Sequence, residues 1–253
     1  MAAAPVIPAS PESAPGNPPL SEGARIVNTF IAPSKTFTDI KRNAAWWAPL
    51  ILISIFALVQ NVAIGKQIGW EQVVRNSIER SPKQAANFDK LTADQQAGQV
   101  NMIAKGNKYA SYAVPVFILL FGLIAMLPLW LTLKFMGGET TFGQAFAIMM
   151  YSWLPGIFTA LLATISLFAG VNPEGFDAQN PAGTNLGYYL DGDSVGRFVK
   201  GLATGIDVFM IWSLVLVAIG FACTSKVKRS TTLTVVIVWY LVYKLAASAL
   251  GAM

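Results

Sequence analysis

Long apolar runs, without polar interruption, set the pattern of this chain. Five stretches reach the length of about 20 mostly apolar residues that a helix needs to cross about 30 Å of hydrocarbon. They cover about 47–65, 112–133, 143–169, 203–224 and 231–250. The pattern predicts an all-α fold, a polytopic membrane bundle of five transmembrane helices. Pro49, Pro115, Pro128 and Pro155 fall inside or at the edges of these runs. Pro155, in mid-span, predicts a kink in the third helix, tolerable where neighbours satisfy the freed carbonyl.

Shorter patterns fill the gaps. Ile26, Val27, Phe30 and Ile31 form an apolar stripe that continues through Pro33, Thr36, Phe37 and Ile40, predicting amphipathic interfacial helices before the first span. The first loop, 66–111, is too long for a bare connection. Ser81 with Gln84, and Thr92 with Gln95, match the S/T-x-x-E/Q capping box, and Val100, Ile103 and Ala104 recur at helical spacing. Two or three amphipathic helices on the membrane surface are expected there. Thr141 and Gln144 supply a third box, before the third span, and Ser194 is expected to cap a helix before the fourth. Residues 1–24 are rich in Pro, Ala and Ser, lack the layout of a signal peptide, and are expected to form a disordered tail.

Composition agrees with a bilayer environment. Only 12% of residues are charged, against about 25% in soluble domains, and mean hydropathy is +0.52. The net charge of +5 is read as basic loops held against anionic headgroups, with no nucleic-acid partner. Histidine is absent, which removes the commonest general base and metal ligand. The single cysteine, Cys223, sits in an apolar run and permits no internal disulfide.

Orientation follows from basic residues near span ends. Lys226, Lys228 and Arg229, with Lys41 and Arg42, place the N-terminus in the cytoplasm, and five spans then put Met253 outside. The third loop, with Glu174, Asp177, Asp191 and Asp193, suits the outer side. Loop one dissents, because it carries seven basic residues, but long loops obey the rule weakly.

Several short elements recur in a telling order. Arg25 and a Pro-x-x-Thr-Phe element (Pro33, Thr36, Phe37) precede a Trp-x-x-Pro entry to the first span (Trp46, Pro49). Gly137, Gly138, Thr141 and Phe142 then run into Tyr151, Ser152 and Pro155. Ile206, Asp207, Val208, Phe209, Ile211 and Trp212 open the fourth span. In this order across five spans, over about residues 25–250, the chain resembles the prokaryotic branch of the Ypt-interacting protein (YIP) domain family. The resemblance implies an all-helical membrane domain with a cytoplasmic N-terminus, in a bacterial cytoplasmic membrane. Eukaryotic members contact Rab-type GTPases in Golgi and endoplasmic reticulum membranes, but no motif here carries that property over.

Two ionisable residues stand out in the last two runs, Asp207 and Lys244. A charge near the bilayer centre costs about 2.5–3.5 kcal/mol on insertion scales, so such residues face a bundle interior and find partners. At 1.5 Å per residue both lie within about 10 Å of the same end, so an intramembrane ion pair is expected. A structural pin is the favoured role; snorkelling of Lys244, or a gate or substrate clamp, are the alternatives. Tyr151, Trp153, Trp212, Trp239, Tyr240 and Tyr243 read as packing aromatics ahead of cavity lining. Asp191-Gly192-Asp193-Ser194 resembles the start of a calcium loop but lacks the remaining ligands, so neither metal nor cofactor is expected. No GxSxG elbow, P-loop or HExxH motif occurs. The resulting expectation is a non-enzymatic protein that organises membrane components through an unidentified protein partner, with homo-oligomers left open. A transporter, channel or lipid-moving protein working near Asp207 and Lys244 is the alternative.

Overall fold

The structure is a computed structural model, which describes residues 18–252. Most of the expected tail, residues 1–17, therefore lies outside the described residues. Thirteen α-helices follow in order: α1 (Glu22–Ile31), α2 (Pro33–Asp39), α3 (Trp47–Gln67), α4 (Trp70–Glu79), α5 (Pro82–Phe88), α6 (Ala93–Tyr112), α7 (Val114–Phe135), α8 (Phe142–Ser152), α9 (Gly156–Phe168), α10 (Gly192–Val195), α11 (Arg197–Ala203), α12 (Val208–Thr224) and α13 (Arg229–Ala252). The protein is an all-α membrane bundle. Four segments are long and apolar enough to cross a bilayer: Trp47–Gln67, Val114–Phe135, Phe142–Phe168 and Arg229–Gly251. A fifth apolar helix, α12, is shorter, with 17 residues.

The third span is the hub. It breaks at Trp153–Pro155 into α8 and α9, as Pro155 predicts, and every residue of α8 from Ala145 to Ser152 is buried. These side chains form the main core with Met126 and Leu133 of α7, Leu216 and Phe221 of α12, and Phe37 and Ile40. The outer faces of α3, α7 and α13 remain apolar and exposed, at Ile55, Phe121, Ile124, Leu241 and Tyr243 for example. Apolar residues outside a packed core suit a lipid-facing surface.

The fourth span differs from the 203–224 reading. Helix α12 begins only at Val208 and has 17 residues, about 26 Å at 1.5 Å per residue. Upstream the chain turns at Thr204–Gly205, and Asp207 pairs with Asn185 in an isolated antiparallel bridge. An Asp in extended conformation, capping the following helix, ends any continuous helix there.

The two ends of the bundle differ. The near end carries the 136–141 and 225–228 turns, tied together by the Thr140–Thr224 hydroxyl bond at 2.8 Å and the Lys226–Glu139 ion pair at 2.7 Å. The hydrogen bond from Lys226 to Glu139, and Glu139's charge, raise the pKa of Lys226 above its ordinary value. The far end carries α4–α6 and residues 169–207. There α4 packs on α6 through Val74, Ile78, Val100 and Ala104. Asn76 donates to the Pro173 and Phe176 carbonyls at 2.7 and 2.9 Å, fastening the third loop onto the first.

The capping boxes at Thr92 and Thr141 form as predicted. The one at Ser81 does not: its side chain makes no cap bond to α5, which is only seven residues long. Ser194 is not a cap either. It lies inside α10 and donates to Asp191, while Gly196, at φ 80°, precedes α11.

Candidate functional site

Helices α1 and α2 form where the apolar stripe predicts them, but their inner face is driven into the bundle. They make a helical hairpin turning at Ala32, with Pro33 in the first turn of α2, where its missing N–H costs nothing. Helix α2 packs along α12. Phe37 is fully buried there because Gly220 has no side chain: a Cβ on Gly220 would lie 3.1 Å from the Phe37 ring and 2.5 Å from Ile148. At the hairpin tip, Phe30 meets Trp212 and Phe158 edge-on, with ring centroids 5.6 and 5.7 Å apart. Trp212 and Gly220 are eight residues apart on α12, so the hairpin follows that helix for about 12 Å.

Charges lie at the centre of this contact. Arg25, 1% exposed, donates from Nε to Asp39 at 2.8 Å and pairs through its terminal nitrogen with the same carboxylate at 2.7 Å. A second arm reaches Glu22 at 3.3 Å, and Tyr151 on α8 donates its hydroxyl to Glu22 at 2.6 Å. The Arg25 carbonyl accepts from Thr29 and Thr36 at 2.8 and 2.9 Å. Every polar group in the cluster has a partner, the condition for tolerating a buried charge. Burial pulls the Arg25 pKa down, but the hydrogen bonds of Asp39 and Tyr151 and the two carboxylate charges outweigh it and leave it raised. Arg25 therefore stays charged. The cluster clamps the hairpin to the hub helix.

The resemblance-derived positions divide between this clamp and turns elsewhere. Pro33, Thr36, Phe37, Tyr151 and Trp212 all touch or shape the hairpin contact. Pro49 is buried in the first turn of α3, Pro155 sits at the α8–α9 break, and Gly137 (φ 85°) with Gly138 makes the α7–α8 turn. Sequence reasoning missed Glu22 and Asp39. The available signal was an acidic residue between Phe37 and Ile40 in an apolar stripe, opposite an arginine.

The expected Asp207–Lys244 ion pair does not form. Asp207 is the N-cap of α12, accepting from the Met210 amide at 2.8 Å and from the Thr184 hydroxyl. Lys244 donates instead to Thr204 Oγ1 at 3.0 Å, and its neighbour Tyr240 donates to the Gly205 carbonyl at 2.7 Å. Helix capping and the Thr184 hydroxyl occupy the carboxylate. Among the described residues no group of His, Cys, Asp and Glu could hold a metal ion.

An all-helical bundle with apolar outer faces and an N-terminal hairpin clamped to its hub defines an integral membrane protein. Residues 27–249 match the Yip1 domain, and the chain belongs to that family. It is also similar to Membrane protein YknW of Bacillus subtilis (strain 168), with 24% identity over 211 residues, covering 83% of this chain and 82% of that protein. No solved structure matches the chain.

Proposed function

We propose that the protein is a non-enzymatic organiser of membrane components, acting through protein partners at the near end of the bundle. The clamp is the observation that carries this reading. The hairpin is not itself a span, yet it packs along α12, and Arg25, Asp39, Glu22 and Tyr151 join it to α8. A partner that engages the exposed residues Lys35 and Thr38 would thus be coupled to the whole bundle. The hub argues in the same direction, since eight consecutive residues of α8 are buried in packed core, which leaves the centre filled along that helix.

Lys41, Lys134, Lys226, Lys228 and Arg229 gather at the near end, and the positive-inside rule then supports a cytoplasmic location for the hairpin and an outer one for the C-terminus. Photo-cross-linkers at Lys35 and Thr38, compared with Leu120 and Ile124 on the exposed face of α7, test the proposal in native membranes. Protein adducts at the hairpin and lipid adducts at α7 are the expected pattern. Lipid adducts alone at all four positions would overturn it.

Transport or lipid movement is the second reading, favoured by a cavity of about 1310 Å³ at the far end, which Lys244 lines. Flux into liposomes carrying the purified protein, lost in Lys244→Gln, would establish it.

A further inference from the structure

The far-end cavity lies between α4–α5, the third loop, α11 and the last turns of α13. Five cations line it, Arg80, Lys83, Arg197, Lys200 and Lys244, against the carboxylates of Glu79, Asp177 and Asp191. Asp177 is bound to Arg80 at 3.3 Å. Arg80 and Arg197 are also spent on structure, donating to the carbonyls of Phe176 and of Arg80 respectively. Lys244 is different. Its ammonium makes a single hydrogen bond, to Thr204, and has no carboxylate at ion-pair distance among the described residues. Gly205 fixes its course, since a Cβ there would fall 2.6 Å from Lys244 Cε.

One turn further along α13, Ser248 also lines the cavity. It is 5% exposed, and its hydroxyl has no hydrogen-bond partner. That oxygen is closed off against Gly201, where a Cβ would fall 3.0 Å from it, whereas the Lys244 ammonium keeps two unused donors, which call for an acceptor-rich group. A phosphate has several acceptor oxygens and negative charge, matching that need. Ala247 and Leu250 continue the cavity wall, and Leu250 is 73% exposed at the helix end. An apolar exit beside a cationic pocket suits a phosphate that bears acyl chains.

We propose that this cavity binds a phosphate group, held by Lys244 and Lys200, and that an anionic phospholipid headgroup supplies it. The inference stands apart from the organiser reading, because it concerns the opposite end of the bundle. Delipidated protein in detergent is titrated with short-chain phosphatidylglycerol, short-chain phosphatidylcholine and inorganic phosphate, with binding read by native mass spectrometry and by shift in unfolding temperature. Saturable binding of phosphatidylglycerol, and little of phosphatidylcholine, is expected. Losing a charge-assisted hydrogen bond weakens binding by about tenfold or more, so Lys200→Gln with Lys244→Gln should do at least that, while Lys244→Arg retains binding. Equal stabilisation by inorganic phosphate would keep the phosphate site but make its source a soluble anion, overturning the lipid assignment. Absence of saturable binding to any phosphate, or unchanged affinity in the double variant, would overturn the site. Should the double variant fail to fold, Lys200→Gln alone must still weaken phosphatidylglycerol binding, and unchanged affinity there counts against the proposal.

Discussion

Arg25 and Asp39, on the two arms of the N-terminal hairpin, form an ion pair at 2.7 Å with side chains only 2% and 6% exposed. The pair closes one helix upon the other, and through Glu22 it extends to Tyr151 on the central helix. Its electrostatics are therefore inseparable from the docking of the hairpin.

Breaking one side of a buried pair strands the other charge and costs about 3–5 kcal/mol. Arg25→Met and Asp39→Leu are each expected to lower the unfolding temperature in detergent by the equivalent of that loss. The double variant should recover most of it, since only Glu22 then lacks its arginine, and Glu22 is 27% exposed and keeps the Tyr151 hydrogen bond. Single variants as stable as wild type would show that the pair carries no weight.

Tyr151→Phe removes only a hydroxyl. Hydrogen bonds to charged groups contribute about 1.5–3 kcal/mol, and Glu22 retains 27% exposure, so the loss belongs at or below the lower end. Faster protease cleavage near residue 32 should accompany it, because α1 loses its tie to α8. Wild-type cleavage kinetics would remove Tyr151 from the clamp.

Gly220→Ala places a methyl group against Ile148 and Phe37. Overpacking of a filled core costs about 1–3 kcal/mol. Gly106→Ala on α6 meets open space and should be neutral or stabilising, by up to about 1 kcal/mol from helix propensity. Equal stability of the two variants would contradict the close approach of α2 to α12.

Asp207 serves as a helix cap, so Asp207→Asn should be nearly silent whereas Asp207→Ala costs about 1 kcal/mol. The exchange Asp207→Lys with Lys244→Asp should give no rescue relative to Asp207→Lys alone. Restored stability in the exchange would reinstate the direct ion pair.

With Cys223→Ala as background, Glu174→Cys should react with an impermeant maleimide in intact cells, and Ser230→Cys only after permeabilisation. The reverse pattern would invert the proposed orientation.

Much of the fold was legible because lipid is a simple solvent. A run of apolar residues of spanning length has few conformations that satisfy its backbone in hydrocarbon, so the long spans, the break at Pro155 and the boxes at Thr92 and Thr141 could be read locally. The fourth span was misjudged because apolarity continues through Ala203, Gly205 and Ile206, where a strand contact with residues 184–186 interrupts the helix. Asp207 and Lys244 have matched depths, yet sequence spacing cannot tell which nearby hydroxyl or amide takes each charge first.

By itself, then, the sequence determined a five-helix membrane bundle, since hydropathy and caps act over one or two turns. Only the tertiary structure decided that Arg25 meets Asp39 and, through Glu22, Tyr151, and that Lys244 faces a far-end cavity. Those outcomes depend on which helices become neighbours. Neighbourhood is set by close packing at sites such as Gly220 and Gly205, which no local pattern encodes.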